Sequence, residues 1–205
     1  MESLGNNQAN VIGIVEDEKE FSHRVYGEDF YIFTLRVPRL SGMDDFLKIM
    51  ASERLMEDSP CNVGDKIEVL GQFRSYNSID ETASKLVLTV FAKNIESCDN
   101  EEKSKNYLYL NGYICKLPTY RTTPFGREIT DMPLAVNRTY NKSDYIPIIA
   151  WGRNARYCKN FNVGDNIKVW GRIQSRNYQK RISEEEIIEK TAYEVSVNRL
   201  EKEEI

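Results

Sequence analysis

Two stretches decide the fold: NVGDKIEVLGQFRSYN at Asn62–Asn77 and NVGDNIKVWGRIQSRN at Asn162–Asn177. They share nine of sixteen residues at an offset of 100. Upstream the offset drifts to 99: Phe33, Leu35, Val37 and Arg39 fall on Met132, Leu134, Val136 and Arg138. Asp45-Phe46-Leu47 falls on Asp144-Tyr145-Ile146, and Gly13 on Gly112. Downstream, Val90 and Ile95 fall on Val195 and Leu200, so the second copy carries about five extra residues. A repeat of roughly 95 residues is domain-sized, too long for the stacked unit of a solenoid.

Each copy reads as strands. Val11–Val15 and Tyr107–Ile114 are rich in β-branched and aromatic residues. Phe30–Val37 and Ile129–Val136 alternate with period two, the mark of a half-buried strand. Further strands are expected at Tyr145–Trp151, Ile167–Tyr178 and Ala192–Leu200. Between the third and fourth strands, ERLMEDSPC (53–61) and RNARYCKNF (153–161) each allow a short helix. The V-G-D turn follows, where Gly64 and Gly164 can take a positive φ. Glu184–Lys190 is read as a charged insert with a helical turn, and His23 as a loop residue.

Five strands with a helical element between the third and fourth describe an OB-fold, a Greek-key barrel. The expectation is all-β: two tandem five-stranded OB barrels. The core is the alternating set Met132, Leu134, Val136, Ile146, Ile148, Ile167 and Val169. The expected units are 1–97 and 106–205, with the polar stretch 98–105 as linker.

Composition removes many functions. The 205 residues are 40% hydrophobic and 29% charged, with a net charge of only -4, which argues against disorder. No apolar run is long enough to span a membrane, and MESLGNNQAN does not read as a secretory signal. Cys61, Cys98, Cys115 and Cys158 lack zinc or redox spacing, so reduced thiols in a cytoplasmic protein are expected. A single histidine, His23, leaves little room for a catalytic triad or a multi-histidine metal site. Asp44-Asp45 and Glu184-Glu185-Glu186 are adjacent runs that nothing brings together, so a metal nuclease is not expected. No cofactor is expected.

The second copy resembles the bacterial single-stranded DNA-binding protein family. The resemblance rests on Pro118-x-x-Arg121-x-x-Pro124-x-Gly126, PLAVNR (133–138), DYIPIIAW (144–151) and GRIQSRNY (171–178), in family order and spacing. It implies non-enzymatic binding of single strands in replication, recombination or repair. It also implies an assembly of four OB-folds, which two copies of this chain would supply as a homodimer. Family members typically continue into a flexible linker with an acidic tip that recruits partners. This sequence ends EKEEI, and recruitment through such a tip is not expected. It also departs from the family at Thr122, where an aromatic often stands.

Sequence-independent binding of single strands needs a positive groove for phosphates and aromatic faces for bases. Residues 1–103 carry a net charge of -9 and residues 104–205 a net charge of +5. Both tryptophans and 13 of the 22 aromatic residues lie in the second part. If Ile146 and Ile148 point inward, Tyr145, Pro147, Ile149 and Trp151 face outward on the strands that bind oligonucleotides in OB-folds. Trp151 is the leading stacking candidate, followed by Tyr178, with Tyr145 on the same face; Trp170 could stack a base or serve an interface. Arg121, Arg138, Arg153, Arg172 and Arg176 are the phosphate and cation–π candidates. Tyr120 and Phe125 are placed on a loop that could fold over a strand or be anchored by Phe125.

In the first copy Trp151 becomes Ser52, Arg172 becomes Gln72, Arg176 becomes Tyr76 and Tyr178 becomes Ser78. Phe46, Lys48, Met50, Arg74 and Tyr76 could form a weaker site there. The first unit therefore reads as a degenerate acidic barrel, structural or partner-binding. The rival for the whole chain is an OB interaction scaffold with weak nucleic-acid affinity. Stacking and phosphate contacts leave DNA and RNA equally open.

Overall fold

A computed structural model describes residues 5–59, 61–80, 83–99, 103–181 and 187–203. The first half runs β1 (Asn7–Val15), β2 (Glu20–Val25), β3 (Glu28–Pro38), β4 (Asp44–Ser52), α1 (Glu53–Asp58), β5 (Lys66–Asp80) and β6 (Ala83–Ser97). The second repeats it: β7 (Lys105–Ile114), β8 (Thr119–Thr122), β9 (Glu128–Arg138), β10 (Lys142–Trp151), α2 (Gly152–Cys158), β11 (Asn166–Arg181) and β12 (Ile187–Lys202). These are two OB barrels with the helix between the third and fourth barrel strands.

The alternation read from sequence sets the core. Phe33, Leu35 and Val37 on β3, and Met132, Leu134 and Val136 on β9, are all buried. The NVGD turn is built the same way twice. Gly64 and Gly164 have φ of 93° and 94°. The Asn62 and Asn162 amides donate to the Asp65 and Asp165 carboxylates, each at 2.9 Å. Later in the same strands, a bulge falls at Leu70/Gly71 and at Trp170/Gly171. A Cβ on Gly171 would collide with the Ser196 carbonyl oxygen, and one on Gly71 with that of Phe91. Only glycine lets the two backbones approach there.

Each barrel has the five expected strands, and a sixth, β2 or β8, forms a hairpin with the next strand. Three expectations need correction. His23 and Tyr120 therefore lie on strands rather than loops, and Phe125, 92% exposed at the following turn, anchors nothing. Ile187–Lys190 belongs to β12 and is not helical, while residues 182–186 lie outside the described residues. Ile149 is buried despite its outward parity.

The halves join edge to edge. β1 pairs antiparallel with β7, from Asn7↔Leu110 to Ile12↔Lys105, so both barrels share one twelve-stranded sheet. Contacts across the seam are reciprocal: the Ser75 amide donates to Asp144 at 2.7 Å and the Ser175 amide to Asp45 at 2.9 Å. Within each barrel the Asn7 side chain exchanges two hydrogen bonds with the Phe73 backbone (2.7 and 2.8 Å), and Asn106 does the same with Ile173 (2.7 and 2.9 Å). The seam has approximate two-fold symmetry, the arrangement two copies of one surface make when they meet.

Candidate nucleic-acid interface

The second barrel presents an outer face made of β9, β10, β12 and β11. Ile146, Ile148 and Ala150 on β10 and Ile173 on β11 are buried, so the alternate residues point away from the core. Trp151 pairs with Ile129, and Tyr145 with Ala135. Across the parallel β10–β12 contact, Ile149 meets Ser196, which in turn pairs with Arg172. Arg176 pairs with Ala192 and Tyr178 with Lys190. Arg121 on β8 pairs with Ile129, on the other side from Trp151. Its Nε donates to Asp131 at 2.8 Å. Arg153, exposed on α2, is two residues past Trp151.

Trp151, Tyr178 and Tyr145 are 36%, 39% and 53% exposed. Trp151 also occupies the N-cap of α2, with no side-chain cap. In the first copy Ser52 holds that position, and its hydroxyl accepts from the Leu55 amide at 3.4 Å. The second copy has exchanged a helix cap, ordinarily about 1 kcal/mol, for an indole on the surface.

The remaining candidates are committed elsewhere. Arg138 Nε lies 3.2 Å from the fully buried Asp144, and Arg172 Nη1 lies 3.3 Å from the fully buried Asp45. Burial and the neighbouring Arg39 guanidinium push Arg172 down, against the pull of Asp45. Asp45 also binds Arg39 and accepts the Ser175 amide N–H at 2.9 Å. Burial raises the Asp144 carboxyl, with the Ser75 amide and Arg138 acting in opposition. Both arginines thus serve the seam between barrels. Trp170 sits before the bulge, where β11 pairs with β7. Its ring lies 5.3 Å from Tyr109 and 4.7 Å from the Arg199 guanidinium. That places it on a different part of the surface from Trp151.

Residue-by-residue reading of the sequence did not bring out Ser75 and Ser175. Each hydroxyl accepts a backbone N–H of the opposite barrel: Tyr145 to Ser75 at 2.8 Å and Phe46 to Ser175 at 2.9 Å. The signal was present, since this serine is one of the nine identities of the repeat. Among the described residues no cluster of His, Cys, Asp or Glu could hold a metal ion, and no helix is long and apolar enough to cross a membrane.

Comparison with known proteins resolves the ancestry of this face. Residues 105–202 match the profile of the Single-strand binding protein family. Over those residues the chain is similar to that family. Within it, Single-stranded DNA-binding protein 1 of Staphylococcus aureus (strain COL) is 37% identical over 83 residues, covering 37% of this chain and 50% of that protein. Single-stranded DNA-binding protein A of Bacillus subtilis (strain 168) is 36% identical over 83 residues, covering 37% and 48%. The chain thus spans about half the length of these relatives. The wild-type single-stranded DNA binding protein from Thermus aquaticus superposes with a TM-score of 0.74 at 22% identity, over 98% of this chain and 94% of that one. The likeness extends the shared fold across both barrels.

Proposed function

We propose that this chain binds single-stranded DNA without base-sequence preference, chiefly through its second barrel, in replication, recombination or repair. One observation carries the reading. Trp151, Tyr145 and Tyr178 share an outer sheet face with Arg121 and Arg176, in the half of the chain that matches the family. Aromatic faces stack bases of any identity, and guanidinium groups neutralise phosphates and release counterions. The role is binding without turnover, and a cytoplasmic location follows from it. The names of the relatives, each a single-stranded DNA-binding protein, support DNA as the ligand.

In the same reading, residues 1–97 act as a first unit joined to a basic second unit, 106–205, and two chains associate to present four barrels. Support for association comes from the outer surface of β5, β1, β7 and β11, where Leu70 and Tyr107 are exposed near the Tyr109–Trp170 pair. Light scattering at micromolar concentration tests this, and a monomer mass would remove the homodimer.

Titration with oligo-dT at two salt concentrations, followed by tryptophan fluorescence, tests the binding function. Quenching that weakens steeply with salt is expected. Absence of both quenching and a gel shift at low salt would overturn it.

A further inference from the structure

The first barrel looks stripped when its residues are compared one for one with the second. Its sheet register tells otherwise. In the second barrel the end row pairs Ile129 on β9 with Trp151 on β10. The same row of the first barrel pairs Phe30 on β3 with Ser52 on β4. The aromatic ring has crossed to the neighbouring strand and stayed on the same outer face. In the next row, Ile149–Ser196–Arg172 is replaced by Met50–Phe91–Gln72. The arginine has shifted by one outward position, to Arg74.

These replacements touch one another. Phe30 and Phe91 are half-buried, with ring centroids 5.8 Å apart. The Arg74 guanidinium lies 3.9 Å from the Phe91 centroid and donates to Gln72 Oε1 at 2.7 Å. The exposed His23 ring stacks on Phe30 at 5.1 Å and 7°. Guanidinium planes and imidazole rings are themselves surfaces on which bases stack. Three of the acidic neighbours are already engaged. Asp17 accepts from Thr34 and lies 3.6 Å from Lys48, Asp29 pairs with Arg24, and Glu16 accepts from Arg36 at 2.9 Å.

We infer that the outer face of β3, β4, β6 and β5, centred on Phe30, Phe91, Arg74 and His23, is a second binding surface for single-stranded nucleic acid. It rests on the binding function proposed for the second barrel. A single strand is the occupant because the face combines stacked rings with a cation, and because it adjoins the β-strand that carries Arg176 and Tyr178. Ser175, one residue before Arg176 of that face, accepts the amide N–H of Phe46 on β4. The β-strand that carries Arg176 and Tyr178 therefore lies against the first barrel at Phe46.

The test uses the full chain, because both tryptophans lie in the second barrel and do not report on this face. Anisotropy of labelled oligo-dT is measured for lengths of about 10 and about 40 nucleotides, against a site size of roughly 4–16 per OB-fold. Phe91→Ala and Arg74→Gln are each expected to weaken the longer strand by about 5- to 100-fold, the range that loss of one stacked base gives. Photocrosslinking of the unsubstituted chain to a 5-iododeoxyuridine strand is expected to mark His23, Phe30 or Phe91, and does not depend on a variant folding. Unchanged affinity in both variants, with adducts confined to the second barrel, overturns the inference and leaves the second barrel's function standing. A changed sedimentation mass with unchanged affinity also overturns it, and makes the face a contact between chains. Failure of the unsubstituted chain to bind either strand removes both proposals.

Discussion

The backbone N–H of Ser75, in the first barrel, donates to the Asp144 carboxylate of the second at 2.7 Å. Ser175 and Asp45 form the reciprocal bond. Removing one partner of a buried charged pair leaves the other without compensation, at about 3–5 kcal/mol. Asp144→Ala should therefore lower stability by about that amount in urea unfolding, since it strands Arg138 and the Ser75 amide. Asp144→Asn keeps an acceptor oxygen and should cost clearly less. Equal losses for the two variants would mean that the carboxylate's contacts do not hold the seam.

Trp151 separates stability from binding. Trp151→Ala should weaken oligo-dT by about 1–3 kcal/mol if the indole stacks a base. Trp151→Ser should bind as weakly but unfold later than the alanine variant, by about 1 kcal/mol, because it restores the cap seen at Ser52. Denaturation of both variants beside the titration checks this. Unchanged affinity in two folded variants would remove Trp151 from the interface.

Arg172 and Arg176 should part in the same way. Arg172 is held by Asp45, so Arg172→Ala should act on stability. Arg176 is exposed, and Arg176→Ala should instead reduce the slope of log affinity against log salt by about 1 if it contacts one phosphate. A stability loss confined to Arg176→Ala would reverse the assignment.

Much of this arrangement was legible in the repeat. Alternation at Phe33–Val37 and Met132–Val136 placed the core, because strand period two is a local property. The paired NVGD stretches located a turn whose glycine and aspartate have fixed tasks. The seam was not legible. Ser75 and Asp144 are small polar residues far apart in sequence, and no local pattern shows that they meet. The site was legible only in part. Strand parity brought Trp151 and Tyr145 to one face, but Arg138 and Arg172 look like any surface arginine until Asp144 and Asp45 are found buried beside them. Parity also placed Ile149 outside, where the structure finds it buried.

The thiols should divide into two classes. Burial pushes Cys158 up to about 12 and Cys61 to about 11. Both are buried, whereas Cys98 and Cys115 are partly exposed. A thiol reagent at about pH 8 should modify the native chain only at the second pair, and all four after unfolding. Rapid native labelling of Cys158, mapped by mass spectrometry, would contradict the packing under α2.

Acid should weaken the fold in part through the NVGD turn. The Asn162 amide and then the Lys202 ammonium hold Asp165 below its ordinary value. Its contribution is complete above the unfolded value and disappears as pH falls through the folded one. Asp144 behaves oppositely: its raised folded value makes ionisation oppose folding as pH rises between the unfolded and folded values. Asp165→Asn should flatten the acid limb of stability, measured as the urea midpoint from about pH 3 to 6, and Asp144→Asn should not. An unchanged acid limb in Asp165→Asn would count against the turn's part in acid unfolding.

The β1–β7 pairing has one more effect. Two separate barrels meeting through this surface would come apart on dilution. Here they are covalently linked, and the effective concentration of one barrel at the other stays in the millimolar range whatever the amount of protein. A lone chain, however scarce in the cell, still carries a matched pair of barrels, and only the joining of one chain to another depends on abundance.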